Sequence, residues 1–408
     1  MRTPQEAIAD ILAHIEPLTD TEHVPLAAAR GRVLAEDVVS DVDLPPFEKA
    51  MMDGIAVRAA DTAEGPWDLE LVGEARAGAA FDGALAPGQA IRIYTGAPMC
   101  SGADAVVMVE KVREAEGRVG SDGAVPAGQH VSHLGEILAV GRVVLSAGRR
   151  IDAVDLTLLA AVGADPVTVV RRPRITVLTT GDELVPPGQV PGPSQIREGN
   201  TIFLAAAAAA DSPNVELLEV GLVPDDAAEL ERRFAAALEG GDALVTTGGV
   251  SMGKYDLVGA CLEAVGVEPI LHKVAIKPGK PIWFGKRGAK PVFGLPGNPV
   301  SSLLGFEVFV RPALAALGGA GPEEQRQRLL KGRWDGPSRA AGDRQLNLPV
   351  AVAFGADGVP LLSPSVWKGS ADVAGLTAAQ GFAVIPAESA VATGELIDWR
   401  PFGGSVAP

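Results

Sequence analysis

Between residues 172 and 317, short strand-like apolar runs alternate with helix-like ones, and that alternation confines this part of the chain to layered α/β architecture. RITVLTT (174–180) reads as a buried strand, an alanine-rich helix follows around residues 200–210, and VELLEVGLV (215–223) is a second strand. DDAAELERRFAAALEGG (225–241) sets Leu230, Phe234 and Leu238 on one face and ends in glycines, as an amphipathic helix does. ALVTTGG then supplies a strand entering a loop, and PVFGLPGNPVSSLLGFEVFVRPAL a strand, a turn and a long helix. Repeated βα units with short links imply a parallel, doubly wound sheet, whose ligands bind beyond the carboxyl ends of the strands. Three loops at those ends are glycine-rich: TTGDEL (179–184), TTGGVS (246–251) and GLPGNP (294–299).

At 408 residues the chain exceeds one core, and about two to four domains are expected. Residues 46–142 carry short runs such as AIRIY, AVVMVE and RVVL (the last just beyond the boundary) separated by Gly and Pro, and read as β-rich. Residues 1–45 and 143–171 form a linker domain: Ile8, Ile11, Leu12 and Ile15 recur at helical spacing, and 149–170 supplies another helix. The α/β domain spans 172–318. From 319 to 408, RQLNLPVAVAF, GVPLLSP, GFAVIP and ELIDWRPF are short strands of a small barrel or sandwich. Apolar runs are interrupted before the roughly 20 residues that cross a bilayer, so no membrane span is expected. Cys100 and Cys261 stand far apart without CxxC partners, which fits a reducing compartment and excludes a disulfide framework. A formal net charge of −16 speaks against a nucleic-acid partner.

Against that acidity, residues 269–306 contain no Asp or Glu yet hold Lys273, Lys277, Lys280, Lys286, Arg287 and Lys290. In KPGKP, Lys277 and Lys280 flank a Pro-Gly turn and can converge on one anion, although a lysine pair beside a turn is ordinarily solvated surface. In LPGNP, Pro299 suits the first position of a helix whose N-terminus then faces the pocket. TTGGVSMGKYD (246–256) offers the amides of Gly248 and Gly249, the Ser251 hydroxyl and the Asp256 carboxylate, the last a ligand for Mg²⁺ bridging phosphates. In TTGDEL, one of Asp182 and Glu183 is expected to cap a following helix and the other to face the crevice. His130 and His133 lack a third ligand and read as loop residues. No GxxxxGK[ST] loop is present.

Taken in order, FEKAMMDGIAV, IRIYTGAP, DAVVMVE, TTGDEL, TTGGVSMGKYD, AIKPGKP and GLPGNPVSS resemble the molybdopterin molybdotransferase family, the MoeA proteins and the gephyrin E domain, over nearly the whole chain. The resemblance implies four domains, with a central molybdopterin-binding α/β domain, a β-rich domain, an N-terminal linker domain and a C-terminal small β-barrel. It implies insertion of molybdate into adenylylated molybdopterin with release of AMP, in the cytoplasm, by a homodimer with a composite active site. Transient contact with a molybdopterin adenylyltransferase is a further implication. Asp53, Thr95, Glu183, Asp256, Lys277 and Lys280 match its catalytic positions. Gly248, Gly249, Ser251, Pro296, Gly297, Asn298, Pro299 and Ser301 match its binding loops, and Glu183, Asp256 and Glu136 a Mg²⁺ site. Three positions depart from the family pattern: Ile137 stands where an acid is usual, Glu198 replaces a common Asp, and Ile55 a common Tyr. Loss of an acid is also how an enzyme becomes a scaffold, so a molybdopterin-binding or scaffold protein is the second reading. A third, adenylylation of molybdopterin by the α/β domain, conflicts with the flanking β domains.

Overall fold

The computed structural model of this chain describes residues 1–210, 215–249, 257–325 and 329–403. Two compact units emerge, Met1–Glu36 with Ala147–Leu156 and Pro166–Pro408, and Asp37–Ser146 with Thr157–Asp165.

The first unit is built on β1 (Arg174–Thr180), α1 (Asn200–Ala210), β2 (Glu216–Val223), α2 (Ala227–Gly240), β3 (Ala243–Thr247), α3 (Leu257–Ala264), β4 (Glu268–His272), β5 (Trp283–Arg287) and β6 (Lys290–Leu295). A last helical run, α4, covers Pro299–Leu317. The strands lie in the order β2-β1-β3-β6-β5-β4. β2, β1, β3 and β6 are mutually parallel, as the βα alternation requires. The remaining two pairings, β6 with β5 and β5 with β4, are antiparallel, so β5 alone runs against the other five strands, which corrects the expectation of a purely parallel sheet. The physical reason is length: only Gly288 and Ala289 separate β5 from β6, enough for a hairpin and far short of the dozen residues of a parallel crossover. Side-chain alternation along the buried strands divides the helices between faces. Ile175, Val177 and Val245 meet Leu204 of α1 and Leu304 of α4, whereas Leu178 and Leu244 meet Phe234 of α2 and Leu262 of α3.

α4 is the one helix among the described residues long and apolar enough to span a bilayer, but 89% of it is buried within the fold. The N-terminal helix Pro4–Ala13 carries a capping box between Thr3 and Glu6. Its Ala7 and Ile11 belong to the same core as Val308 and Phe309, so this helix, read as linker, is part of the α/β core. Residues 149–170 are not helical throughout: the helix ends at Ala161, Gly163 follows with φ +72°, and Val167–Val170 pairs with Thr21–Val24.

Five C-terminal strands, Leu330–Trp334, Gln345–Phe354, Pro360–Pro364, Gly381–Ile385 and Leu396–Pro401, close into a barrel because Gln345–Phe354 pairs with both Pro360–Pro364 and Gly381–Ile385. Trp334, Leu348, Val350 and Trp399 fill it. Ile276–Lys277 joins the barrel as an extra parallel strand, with Lys277 opposite Leu346. The second unit holds a six-stranded sheet ordered Ala105–Met108, Gly54–Val57, Gln89–Ile93, Trp67–Ala75, Arg118–Ser121 and Arg113–Ala115.

Replacing Ile11 by Ala should destabilise the α/β core by about 2–5 kcal/mol. Urea denaturation with amide exchange in β1 and β3 tests this, and faster exchange confined to Pro4–Ala13 would show that the helix docks independently.

Candidate active site

The order β2-β1-β3 places the topological switch between β1 and β3, so the crevice is expected where those strands end. There the Thr179 hydroxyl donates to Thr247 O at 3.1 Å, and one residue on the two strands meet backbone to backbone. Gly248 has φ +89°, and a Cβ on it would lie 2.4 Å from the Thr180 carbonyl oxygen. Its amide donates to Leu295 O at 3.1 Å, so this glycine is required by strand packing, and its N–H is already engaged. Buried side chains fix the LPGNP turn from beneath. Thr247 Oγ1 donates to Pro296 O at 2.9 Å and lies 3.0 Å from Ser302 Oγ, while Asn200 Nδ2 donates to Gly297 O at 2.7 Å. Asn298 does not cap its own helix: Nδ2 donates to Ser370 Oγ at 2.9 Å, and the Val300 amide donates to Ser370 O at 3.0 Å. The helix N-terminus is thus partly occupied by the chain itself.

Above this floor opens a cleft of about 1260 Å³ lined by Glu183, Glu198, Asp225, Gly248, Gly249 and Gly297 among others. Pro296, Asn298 and Pro299 also face it. That volume exceeds the roughly 300–1,000 Å³ typical of a single small ligand. No helix follows TTGDEL. Leu184–Val185 instead pairs with Ile196–Arg197, so neither Asp182 nor Glu183 caps one, contrary to the sequence reading. Asp182 accepts the Asp225 amide at 3.2 Å, Asp225 accepts the Thr180 hydroxyl, and Glu198 holds the start of α1 by accepting Thr201 N at 2.8 Å and Oγ1 at 2.9 Å. Four carboxylates, Glu183, Glu198, Asp225 and Glu307, line the cleft against the guanidiniums of Arg197 and Arg311.

A second recess of about 520 Å³ adjoins it, sharing Pro281, Pro296 and Asn298. Lys277, Lys280 and Ser301 line this recess, together with Arg339 and Arg344 from the barrel region. The other cations of the acid-free interval divide by role. Lys290 Nζ donates to Leu238 O at 2.5 Å near the end of α2, and Arg287 Nη1 to Val265 O at 3.3 Å beyond α3, where each satisfies carbonyls a helix leaves open.

In the second unit, Asp53 Oδ1 accepts both the Thr95 amide and the Thr95 hydroxyl at 2.7 Å. Those donors, the amide foremost, hold the Asp53 carboxyl below its ordinary range. Glu136 Oε2 accepts from Ser132 Oγ at 2.9 Å and His133 N at 3.0 Å, and these bonds also lower its pKa. Ile137 beside it is 75% exposed, whereas Ile55 is buried in the core of the sheet. His133 Nδ1 pairs with Glu48 at 3.0 Å. Ser251 and Asp256 lie outside the described residues. Among the described residues no three His, Cys, Asp or Glu side chains gather into a metal cage.

Sequence reading missed Asp225, Asn200, Arg339 and Arg344. A signal existed for the first: of the consecutive Asp225 and Asp226 only one can cap α2, and Asp226 does, accepting Glu229 N at 2.9 Å.

Residues 2–163 match the MoeA N-terminal region (domain I and II), and residues 176–316 the family described as "Probable molybdopterin binding domain". A molybdopterin molybdenumtransferase of Haemophilus influenzae is 36% identical over 86% of this chain and 84% of its own. Its counterpart in Bacillus subtilis is 36% identical over 77% of this chain and 75% of its own. The crystal structure of the molybdopterin biosynthesis MoeA protein of Pyrococcus horikoshii superposes with a TM-score of 0.84 at 30% identity, covering 98% of this chain and 100% of that one.

Two expectations follow from the geometry. Asn200→Ala strands the Gly297 carbonyl and should lower stability by about 1–3 kcal/mol, read by chemical denaturation. In Thr95→Val the hydroxyl donor to Asp53 disappears while the amide remains, so the Asp53 pKa should rise toward 3.8. The sign follows from linkage: a carboxyl depressed in the folded state contributes stability above its unfolded pKa and loses it as pH falls through the folded value. An NMR titration of the Asp53 carboxyl carbon checks it, and an unchanged midpoint would remove the hydroxyl's role.

Proposed function

The chain belongs to the molybdopterin molybdenumtransferase (MoeA) family of molybdenum cofactor biosynthesis, and from that premise we propose that it inserts molybdate into adenylylated molybdopterin with release of AMP. The observation that carries the reading is the pairing of an acid-lined cleft with a base-lined recess across one shared wall. A phosphoanhydride entering the cleft meets carboxylates, a repulsion that a divalent cation removes. Molybdate, a free dianion, meets Lys277, Lys280, Arg339 and Arg344 next door.

Mg²⁺ fits this donor set. It takes one or two protein carboxylates and completes its shell with phosphate oxygens and water, which requires no all-protein cage. Glu183 and Asp256 are the residues assigned to hold it, with Asp225 beside Glu183 on the cleft wall. When bound, it would polarise the phosphoanhydride. Asn200 and Thr247 keep the LPGNP turn in place for the phosphates, and the lysines orient the oxyanion toward them.

A homodimer completes the site in this reading, the partner's β-rich unit presenting the ionised Asp53, Thr95 and Glu136. Exposed Phe47, Met51 and Met52 beside Asp53 are apolar surface suited to such an interface. A cytoplasmic location and substrate delivery by a molybdopterin adenylyltransferase belong to the same proposal. The scaffold alternative is not favoured, since the curated relatives are enzymes.

Supplying adenylylated molybdopterin, molybdate and Mg²⁺ should yield AMP and active cofactor, and chelation of the metal should stop it. Removing charge at Lys277 or Lys280 should weaken molybdate affinity about tenfold or more with an unchanged melting temperature. A substitution acting mainly on melting would show that the lysine is structural.

A further inference from the structure

The cleft runs on from the strand ends into a second lobe. Its walls are Phe203 and Ala207 of α1, Leu303 of α4, and Val373, Leu376 and Phe402 from the C-terminal region. Glu307 and Arg311 also line it. Arg311 Nε and Nη2 each donate to a Glu307 carboxylate oxygen at 2.8 Å. The Glu307 side chain is only 4% exposed and that of Arg311 22%.

An ion pair withdrawn this far from water gains little over a well-packed apolar pair, so stability alone is a weak reason to find one among these walls. The backbone is irregular at the same place. Phe306–Val310 is a π-helical turn inside α4, and such turns concentrate at functional sites. Three observations thus coincide in one lobe: apolar walls, a nearly buried carboxylate-guanidinium pair, and a π turn carrying the carboxylate.

We infer that this lobe seats the pterin ring of the substrate, with Glu307 accepting hydrogen bonds from the ring and Arg311 donating to it. The inference rests on the transferase reading above and assigns the part of the cleft that the phosphates do not need. A 2-amino-4-oxo-pyrimidine edge presents two adjacent N–H donors and then a carbonyl acceptor. A carboxylate beside a guanidinium is its complement. Each oxygen of an ionised carboxylate accepts more than one hydrogen bond, so pairing with Arg311 does not exhaust Glu307. Adenine has no carbonyl and a single exocyclic donor, and matches the pair less well. The apolar walls take the ring faces.

Glu307 Oε1 also receives the Gly403 amide at 3.4 Å, so a purely structural role as a strap for the C-terminal segment is the competing account. Full-length protein titrated with 6-hydroxymethylpterin, followed by quenching of the pterin fluorescence, and separately with AMP, distinguishes them. Glu307→Gln should weaken the pterin about tenfold to a hundredfold and leave AMP affinity unchanged. Val373→Trp, at a position 52% exposed, fills the lobe without disturbing the core and should weaken the pterin likewise at an unchanged melting temperature. Wild-type pterin affinity in both variants overturns the inference, as does loss of AMP binding with the pterin retained. A wild-type protein that releases AMP from adenylylated molybdopterin yet binds no pterin also overturns it while the transferase reading stands. Absence of AMP release sinks that reading separately, and the lobe is still decided by the two variants.

Discussion

Gly248 sits where the paired run of β1 and β3 ends, one residue past the Thr179–Thr247 match, and the Thr180 carbonyl occupies the space a side chain would need. At the carboxyl ends of these parallel strands the closest approach is backbone against backbone. Here that backbone is held without slack. The Gly248 amide is bound to Leu295 O, which ties the exit of β3 to the exit of β6. Once the three strand ends are fixed together, Thr247, Ser302 and Asn200 can meet the carbonyls of the LPGNP turn from below, inside the core. Such a network stabilises only if its members are all satisfied, since a buried polar group left alone loses its hydration without return. The floor of the cleft is therefore fixed from within the core, and the charged side chains stand on its rim.

That rim is divided by charge. Glu183, Glu198 and Asp225 come from loops after β1 and β2, whereas Lys277 and Lys280 come from the segment between β4 and β5. Keeping the lysines off the carboxylates preserves two recesses of opposite charge, as the proposed reading requires. Had they mixed, each would have been neutralised by ion pairing. Of the other cations in the acid-free interval, Arg287 and Lys290 bind backbone carbonyls at helix ends, so positive charge in that stretch serves both fold and site.

The sequence made the βα order, the first helix, the barrel strands and the three glycine loops readable, because each depends on local periodicity or local turn chemistry. What it hid was non-local. The reversed strand β5 depends on a two-residue link whose meaning appears only once β6 is placed. Asp182 and Glu183 looked like helix caps because TTGDEL precedes a helix in order, but a paired segment intervenes and Glu198 takes the capping role. Arg339 and Arg344 lie some sixty residues beyond the lysines they join, in a stretch without glycine-loop character. Gly248, singled out for its place in a glycine loop, lines the cleft and is also needed for the close approach of its backbone to the Thr180 carbonyl.

The barrel is consequently more than an appendage to the α/β domain. Ile276–Lys277 is one of its strands by pairing, and the Ala275 carbonyl accepts the Gln345 amide, so the position of Lys277 is set by barrel register as much as by the Pro-Gly turn. Ser370 reaches back to Asn298 and Val300 at the start of α4, closing the same recess from the other side. Arg339 and Arg344 then enter on the strand connection that precedes Gln345–Phe354 and on its doorstep. A one-residue slip of Ile276–Lys277 along its partner would exchange the inward and outward faces of that strand and carry Lys277 away from Arg344. The cationic recess is therefore a property of the interface between α/β domain and barrel, because neither element alone brings Lys277 and Lys280 to Arg339 and Arg344.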